Sequence, residues 1–286
     1  MKRIQVLMST YNGEKYIRNQ INSIQNQKGV EVNLLIRDDG SKDSTISILE
    51  QYNDIRIVKG DNIGATNSFF ELINLSGEYD YYAFADQDDV WDNDKLLAGV
   101  KKLETCNCPA IYSSNTRLVD RDLNYIRDET KRPITNLGSA IVKNYATGCT
   151  LVFNSQLMKR LKGNQPKHAP FHDWWVNLVC LSIGGVSIFD EKPHMSYRQH
   201  DNNVVSGNSS FFKKWKYRFN SFFTTRFHRD LTVKEIVQLY GSEISDYNKN
   251  ILLDCTSMHC LFTGKYKTGN RIDDLLFIVL LLLKRY

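Results

Sequence analysis

Between residues 4 and 86 the chain alternates short apolar runs with helical patterns, and that alternation constrains the fold more than any other feature. Apolar runs at 4–8, 32–36, 55–58 and 79–85 have the length and composition of strands. Between them, Tyr16, Ile17, Ile21 and Ile24 recur at helical spacing within 14–27, and Ile46, Leu49 and Glu50 do so within 43–52. A turn at 60–64 leads into a third helical stretch bearing Phe69, Phe70, Leu72 and Ile73. Strands separated by helices predict a parallel sheet with right-handed crossovers. Such sheets take ligands outside the carboxyl ends of their strands. The polar turns at 9–13, 38–41 and 86–89 all follow strand ends, so Thr10, Tyr11, Asp38, Asp39 and the acids near residue 86 are expected along one rim.

Those acids are Asp86, Asp88 and Asp89. Like charges this close repel unless a cation sits among them or water surrounds them. On an extended chain Asp86 and Asp88 face the same way, which suits a hard divalent ion shared with phosphate oxygens. A solvated acidic turn is the plain alternative. No Gly-x-Gly-x-x-Gly follows the first strand and no Gly-Lys-Ser/Thr occurs, which argues against dinucleotide and P-loop chemistry. The six cysteines form no Cys-x-x-Cys pair and read as reduced cytoplasmic thiols rather than a zinc site. Met1-Lys2-Arg3 runs straight into the first strand, with no signal-peptide pattern.

After Ala110 the alternation breaks. Strands are expected at 110–115, 116–119 and 150–153, with 120–136 as a polar loop. A further loop at 166–172 precedes a helix that starts at Asp173 and runs through Trp174, Trp175, Leu178, Val179 and Ile183. Short strands follow at 186–189 and 194–197, and 198–205 reads as a site loop. The charge is uneven. Residues 207–286 hold 13 Lys+Arg against 7 Asp+Glu, while residues 1–206 hold 24 against 25. Residues 211–229 carry eight aromatics, six Lys/Arg and no acid. Phe211, Phe212, Trp215, Phe219, Phe222 and Phe223 share one helical face, the pattern of a helix lying in a membrane interface. Apolar clustering of this kind argues against a nucleic-acid partner. The apolar run 275–283 is too short for a span, which needs about 20 residues. It is left to pack on the core or to dip into lipid.

The Ser9-Thr10-Tyr11-Asn12-Gly13 turn, Asp38-Asp39-Gly40-Ser41 and Asp86-Gln87-Asp88 together resemble an inverting family 2 glycosyltransferase, an α/β protein of the GT-A fold. Gly148-Cys149, His172-Asp173-Trp174-Trp175 and the stretch from Tyr197 to Val205 extend the resemblance. The Asp86–Trp91 motif, with Gln199-His200 and Asn203-Val204-Val205, is most similar to the bacterial rhamnosyltransferase branch. The likeness covers residues 1–206, with 1–105 as the nucleotide-sugar half and 106–206 as the acceptor half. The likeness does not carry the tail, and residues 207–286 are expected from their own pattern to be a helical, membrane-associating extension.

The resemblance implies roles residue by residue. Thr10, Tyr11 and Glu14 would line the base pocket, and Asp38 and Asp39 would reach the base and ribose. Asp86 and Gln87 would meet the nucleotide-sugar, while Asp88 and His200 would hold Mn²⁺ or Mg²⁺. Asp173 matches the general base, here preceded by His172 where a glutamate is commoner. Asp89, Trp91, His172 and Trp174 fall near the acceptor without an assigned role. The implied donor is dTDP-rhamnose, with a UDP-hexose or UDP-HexNAc as the alternative. The implied acceptor is a lipid-linked oligosaccharide precursor of a surface polysaccharide, met by a peripheral protein on the anionic cytoplasmic face of the membrane. A homo-oligomer is left open. A sugar nucleotidyltransferase and a non-catalytic glycan-binding protein are the other classes weighed. The first normally opens with a Gly-rich basic loop that 9–13 does not provide, and the second would lack the base.

Overall fold

The computed structural model describes residues 1–199, 229–255, 257, 260 and 263–282. The anticipated alternation forms the first half: β1 (Lys2–Thr10), α1 (Ile17–Gln25), β2 (Val30–Asp38), α2 (Thr45–Leu49), β3 (Ile55–Lys59), α3 (Ala65–Leu75) and β4 (Tyr81–Ala85). Then come β5 (Val90–Trp91), α4 (Lys95–Leu103), β6 (Ala110–Ser114), β7 (Arg117–Val119), β8 (Tyr125–Asp128) and α5 (Leu137–Val142). A 3₁₀ turn (Gly148–Thr150) leads into β9 (Val152–Asn154) and α6 (Ser155–Leu161). After these lie α7 (His172–Ser182), β10 (Val186–Asp190) and β11 (Met195–Arg198). The described tail adds α8 (Arg229–Tyr240), α9 (Asp246–Asp254) and α10 (Arg271–Leu282).

The seven-stranded sheet runs β10-β6-β9-β4-β1-β2-β3. β1 is parallel to β2 and β4, β2 to β3, and β10 to β6. β9 is antiparallel to both its neighbours and joins the two parallel parts. A second sheet, β5-β11-β7-β8, stands beside it. β8 falls within 120–136, the segment expected to be a loop. It is the edge strand, and its exposed Tyr125, Arg127 and Asp128 give it the polar composition by which edge strands resist pairing with other chains.

Side chains on a strand alternate between faces, and the core divides accordingly. Leu7, Leu35, Tyr82, Phe84 and Phe153 point to one face, where α3 and α7 cover them with Phe69, Phe70, Leu72, Trp174 and Trp175. Ile4, Val6, Met8, Leu34, Ile36, Tyr81 and Ala83 point to the other, under Ile17, Ile21 and Ile24 of α1 and Leu96, Val100 and Leu103 of α4. The described tail belongs to the first of these cores. Val233, Ile236 and Tyr240 of α8, Ile251 and Leu252 of α9, and Phe277 and Leu281 of α10 are buried in it. Of the run 275–283, Phe277 and Leu281 therefore pack on protein, while Leu275 and Leu282 stay exposed. The aromatic stripe at 211–228 lies outside the described residues. Among those described, no helix is long and apolar enough to cross a membrane.

The tail approaches α5 closely. A Cβ at Gly138 would stand 2.0 Å from the Lys265 carbonyl oxygen, a backbone atom that cannot swing aside. We expect Gly138→Ala to cost about 1–3 kcal/mol and to loosen the tail from α5. Denaturant unfolding measures the first effect, and faster proteolytic release of the segment after residue 263 reads the second.

Candidate active site

The parallel register sets the rim. Thr10 pairs with Asp38 across β1 and β2, and Met8 pairs with Ala85 across β1 and β4. The turns after these three strands therefore leave the sheet at the same level, and the nucleotide-side residues meet there as expected. Thr10 Oγ1 donates to Asp38 Oδ1 (3.0 Å), and the Ser41 backbone N donates to Asp38 Oδ2 (2.9 Å). Asp39 accepts from the backbone N of Ile63 and of Gly64 (both 2.9 Å) and pairs with Arg37. Both carboxylates are buried and hold the loops around them: Asp38 the 38–41 turn, Asp39 the entry to α3. Glu14 accepts from the Ser44 backbone N at the start of α2 (2.8 Å). Tyr11 is 44% exposed and presents a flat face at the rim.

Gln87 joins this half of the rim to the acidic turn. Its Oε1 accepts from the Tyr11 backbone N (2.9 Å) and its Nε2 donates to the Tyr11 carbonyl (3.0 Å). The side-chain amide thus pairs with the backbone as a neighbouring strand would. Gly13 lies against it, since a Cβ there would be 2.4 Å from Gln87 Oε1.

The chain bends at Gln87 and Asp88. The alternation of an extended strand, which would aim Asp86 and Asp88 the same way, does not hold there. Asp89 instead turns back beside Asp86. Ligand atoms of Asp86, Asp89 and Cys149 lie within 4.8 Å of one another, Cys149 arriving on the 3₁₀ turn. Asp89 is wholly buried. Its Oδ1 accepts from the Arg198 backbone N (3.2 Å), and its Oδ2 has no hydrogen-bond partner among the described residues. Arg198 also donates from Nε to the Asp88 carbonyl (2.7 Å) and lies over the Tyr16 ring at 4.5 Å. Desolvation, with Asp88 and Asp173 adding repulsion, pushes the Asp86 carboxyl up to about 7. Desolvation beside Asp88 and Asp86 raises Asp89 well above the usual range.

Asp173 occupies the first turn of α7. Its carboxylate accepts from the backbone N of Trp174 (2.6 Å) and of Gly148 (2.9 Å) and bonds the Asn144 side chain. Desolvation outweighs these bonds and pushes it up to about 6. It is near enough to Asp86 to repel it, so the structure brings the acidic turn and the expected base into one site. His172 stacks on Phe69 (3.8 Å between centroids) and meets Phe84 edge-on. Desolvation lowers its pKa to about 3, which leaves the ring neutral. Trp91 and Trp174 are core residues: Trp91 is 3% exposed, and Trp174 donates from Nε1 to the Ala140 carbonyl (2.7 Å). His200 lies outside the described residues.

Lys95 was not singled out from sequence, and Cys149 and Arg198 were quoted there without a role. Lys95 is fully buried, with Nζ 3.5 Å from the Trp91 ring centroid. Desolvation lowers its pKa to about 7, while Cys149, Asp89 and Asp86 favour its charge. The signal was present, because Lys95, Gly99 and Leu103 fall on one helical face. Cys149 and Arg198 lie far from Asp89 in sequence, and no spacing links them to it.

This donor set fits a divalent cation. Asp86 and Asp89 are hard oxygen ligands, Asp89 Oδ2 is uncommitted, and desolvation makes their repulsion costly without a counter-charge. The Cys149 thiol is a soft group whose pKa is raised well above its usual value by desolvation and by Asp89 and Asp86. It stays protonated and suits a hydrogen bond better than ligation of Mn²⁺ or Mg²⁺. Asp88, the ligand expected from sequence, adjoins this group on the bend.

The acids thus sit at the strand ends of a mixed, mostly parallel sheet. The structure superposes on that of S. aureus TarS 1–349 in complex with UDP-GlcNAc with a TM-score of 0.54, at 16% identity, over 98% of this chain and 90% of that one. It also superposes on the mannosyltransferase PcManGT from Pyrobaculum calidifontis, in complex with GDP-Man and Mn2+, with a TM-score of 0.54 at 14% identity, over 99% and 87%. The fold is GT-A. Residues 5–161 match the family model Glycosyl transferase family 2, and the chain is a member of that family. It is 33% identical over 231 residues to the dTDP-rhamnosyl transferase RfbG of Shigella flexneri, covering 73% of this chain and 77% of that protein. It is 28% identical over 194 residues to the UDP-Glc:alpha-D-GlcNAc-diphosphoundecaprenol beta-1,3-glucosyltransferase WfgD of Escherichia coli, covering 64% and 72%.

The Gln87 amide gives the first test of the site. Gln87→Ala removes two hydrogen bonds, each worth about 1 kcal/mol, and frees the Tyr11 loop. We expect the donor KM to rise about tenfold with kcat changed little. A matching fall in kcat would place Gln87 in the chemistry instead.

Proposed function

We propose that this glycosyltransferase moves L-rhamnose from dTDP-rhamnose, with inversion, onto a lipid-linked glycan precursor of a surface polysaccharide. The observation that supports the chemistry is that Asp173, held by the Gly148 and Trp174 amides, lies close enough to Asp86 for their charges to repel. The donor assignment is supported by the 33% identity to a dTDP-rhamnosyl transferase. The 28% identity to a glucosyltransferase named for UDP-Glc and alpha-D-GlcNAc-diphosphoundecaprenol supports a lipid-linked acceptor and keeps a UDP-hexose as the second donor reading.

In this reading Tyr11 stacks on the base, and Thr10, Glu14, Asp38 and Asp39 shape its pocket. Asp86, Asp88 and Asp89 would hold Mn²⁺ or Mg²⁺, with His200 a further ligand, and the bound ion would supply counter-charge for the diphosphate. Asp173 accepts the proton of the acceptor hydroxyl. The hydroxyl oxygen bonds to the anomeric carbon from the face opposite the diphosphate. The bond from that carbon to the diphosphate oxygen breaks, and its electron pair leaves with the nucleotide. A single displacement of this kind inverts the centre. Residues 211–229 bring the protein to the anionic cytoplasmic face of the membrane, each cation contributing on the order of 1 kcal/mol.

Incubating the protein with dTDP- and UDP-sugars and Mn²⁺ or Mg²⁺ tests the donor, and turnover of dTDP-rhamnose above the others is the expected result. Asp173→Asn should lower transfer about 10²–10⁴-fold while calorimetry finds dTDP affinity unchanged; joint loss of both would make Asp173 a donor ligand. A base must be unprotonated to work. With Asp173 raised to about 6, activity should fall as pH drops through that value, about tenfold per unit. Asp88→Asn should abolish transfer in a folded protein, and full activity of that variant in EDTA would rule the cation out.

A further inference from the structure

Helix α10 has two apolar faces, and among the described residues a protein partner for only one. Asp273, Phe277 and Leu281, spaced by one helical turn, are buried. On the other side Ile272, Leu275, Val279 and Leu282 recur at spacings of three and four, which stacks them along one stripe. Ile272, Leu275 and Leu282 are 50%, 60% and 61% exposed.

The charges sort the same way. Both acids of α10 are turned inward: Asp273 pairs with Lys143, and Asp274 Oδ1 accepts from the Thr268 backbone N (2.8 Å) and from its Oγ1 (2.7 Å). Lys267 and Arg271, at the start of the helix, are exposed. The outward side is therefore apolar with cations at one end. An exposed apolar stripe of this kind marks a surface that meets a partner or a membrane, and the cations at its end favour an anionic one.

Its position decides the occupant. Lys143, the partner of Asp273, ends α5, and the next residue, Asn144, hydrogen-bonds the Asp173 carboxylate. One ion pair and one peptide unit thus connect α10 to the residue assigned the acceptor proton. The helix has 12 residues, about 18 Å at 1.5 Å per residue, too short to span a bilayer and suited to lying along one.

We infer that the Ile272–Leu275–Val279–Leu282 stripe of α10 lies in the headgroup–acyl boundary of an anionic lipid surface and sets the acceptor side of the site against it. The inference rests on the reading of the protein as a transferase acting on a lipid-linked acceptor. It adds a second contact, distinct from residues 211–229, that fixes orientation as well as attachment.

The test uses the full chain and vesicles of phosphatidylglycerol with phosphatidylethanolamine. The parent protein should co-float, and less so with phosphatidylcholine. The triple change Ile272→Ser, Leu275→Ser, Leu282→Ser removes apolar area that is already exposed, so melting temperature and donor hydrolysis should hold. Its vesicle partitioning should fall at least about tenfold. Unchanged flotation of the triple variant overturns the inference, as does a parent that does not float. If light scattering finds a parent dimer that the triple variant breaks while flotation is unchanged, a second copy covers the stripe and the inference fails. Donor hydrolysis separates the two readings. Its absence from a protein that still floats through α10 would sink the proposed chemistry, and its presence in one that never floats would sink only the lipid contact.

Discussion

Everything at the rim answers to one electrostatic constraint: three carboxylates, Asp86, Asp89 and Asp173, are brought together where water is scarce. Desolvation raises all three, repulsion by Asp88 and Asp173 adds to Asp86, and repulsion by Asp88 and Asp86 adds to Asp89, and the surroundings offset that cost only in part. The Arg198 backbone N reaches Asp89, and the Gly148 and Trp174 amides reach Asp173. Lys95 stands behind the cluster as a buried cation whose own charge is strained by desolvation. A site with unspent negative potential of this kind is built to receive positive charge. The folded chain holds that potential because the sheet and α7 are packed on both sides of it.

Much of this was legible in the sequence. The strand–helix alternation gave the parallel register, and the register alone sets Thr10, Asp38 and Asp86 at one level. Polar turns after apolar runs marked the rim, and the family resemblance placed Asp173 on it. What stayed hidden has physical reasons. β9 is three residues long, and an apolar run carries no sign of chain direction, so its antiparallel pairing could not be read. Asp89 lies deeper than Asp88 because the backbone bends at Gln87 and Asp88, and a bend is invisible to a period-two argument. Trp91 and Trp174 fell near the acceptor in the sequence without an assigned role, and both are buried in the core. The placement of Cys149 and Arg198 depends on tertiary contacts across long stretches of chain, which no local pattern encodes.

The described tail shows how composition averages over distinct parts. The excess of cations after residue 206 suggested a single membrane-facing extension. Yet α8, α9 and one face of α10 complete the hydrophobic core over α5 and α7. Helices that close a core and also present a surface must divide their residues by face, and the inward acids of α10 are the mark of that division.

The pairing of Gln87 with both backbone groups of Tyr11 has a consequence for the order of events. The loop that would hold a base and the turn that bears the acids are fastened as one piece before any ligand arrives. A donor then meets a ready-made template and loses little affinity to ordering it.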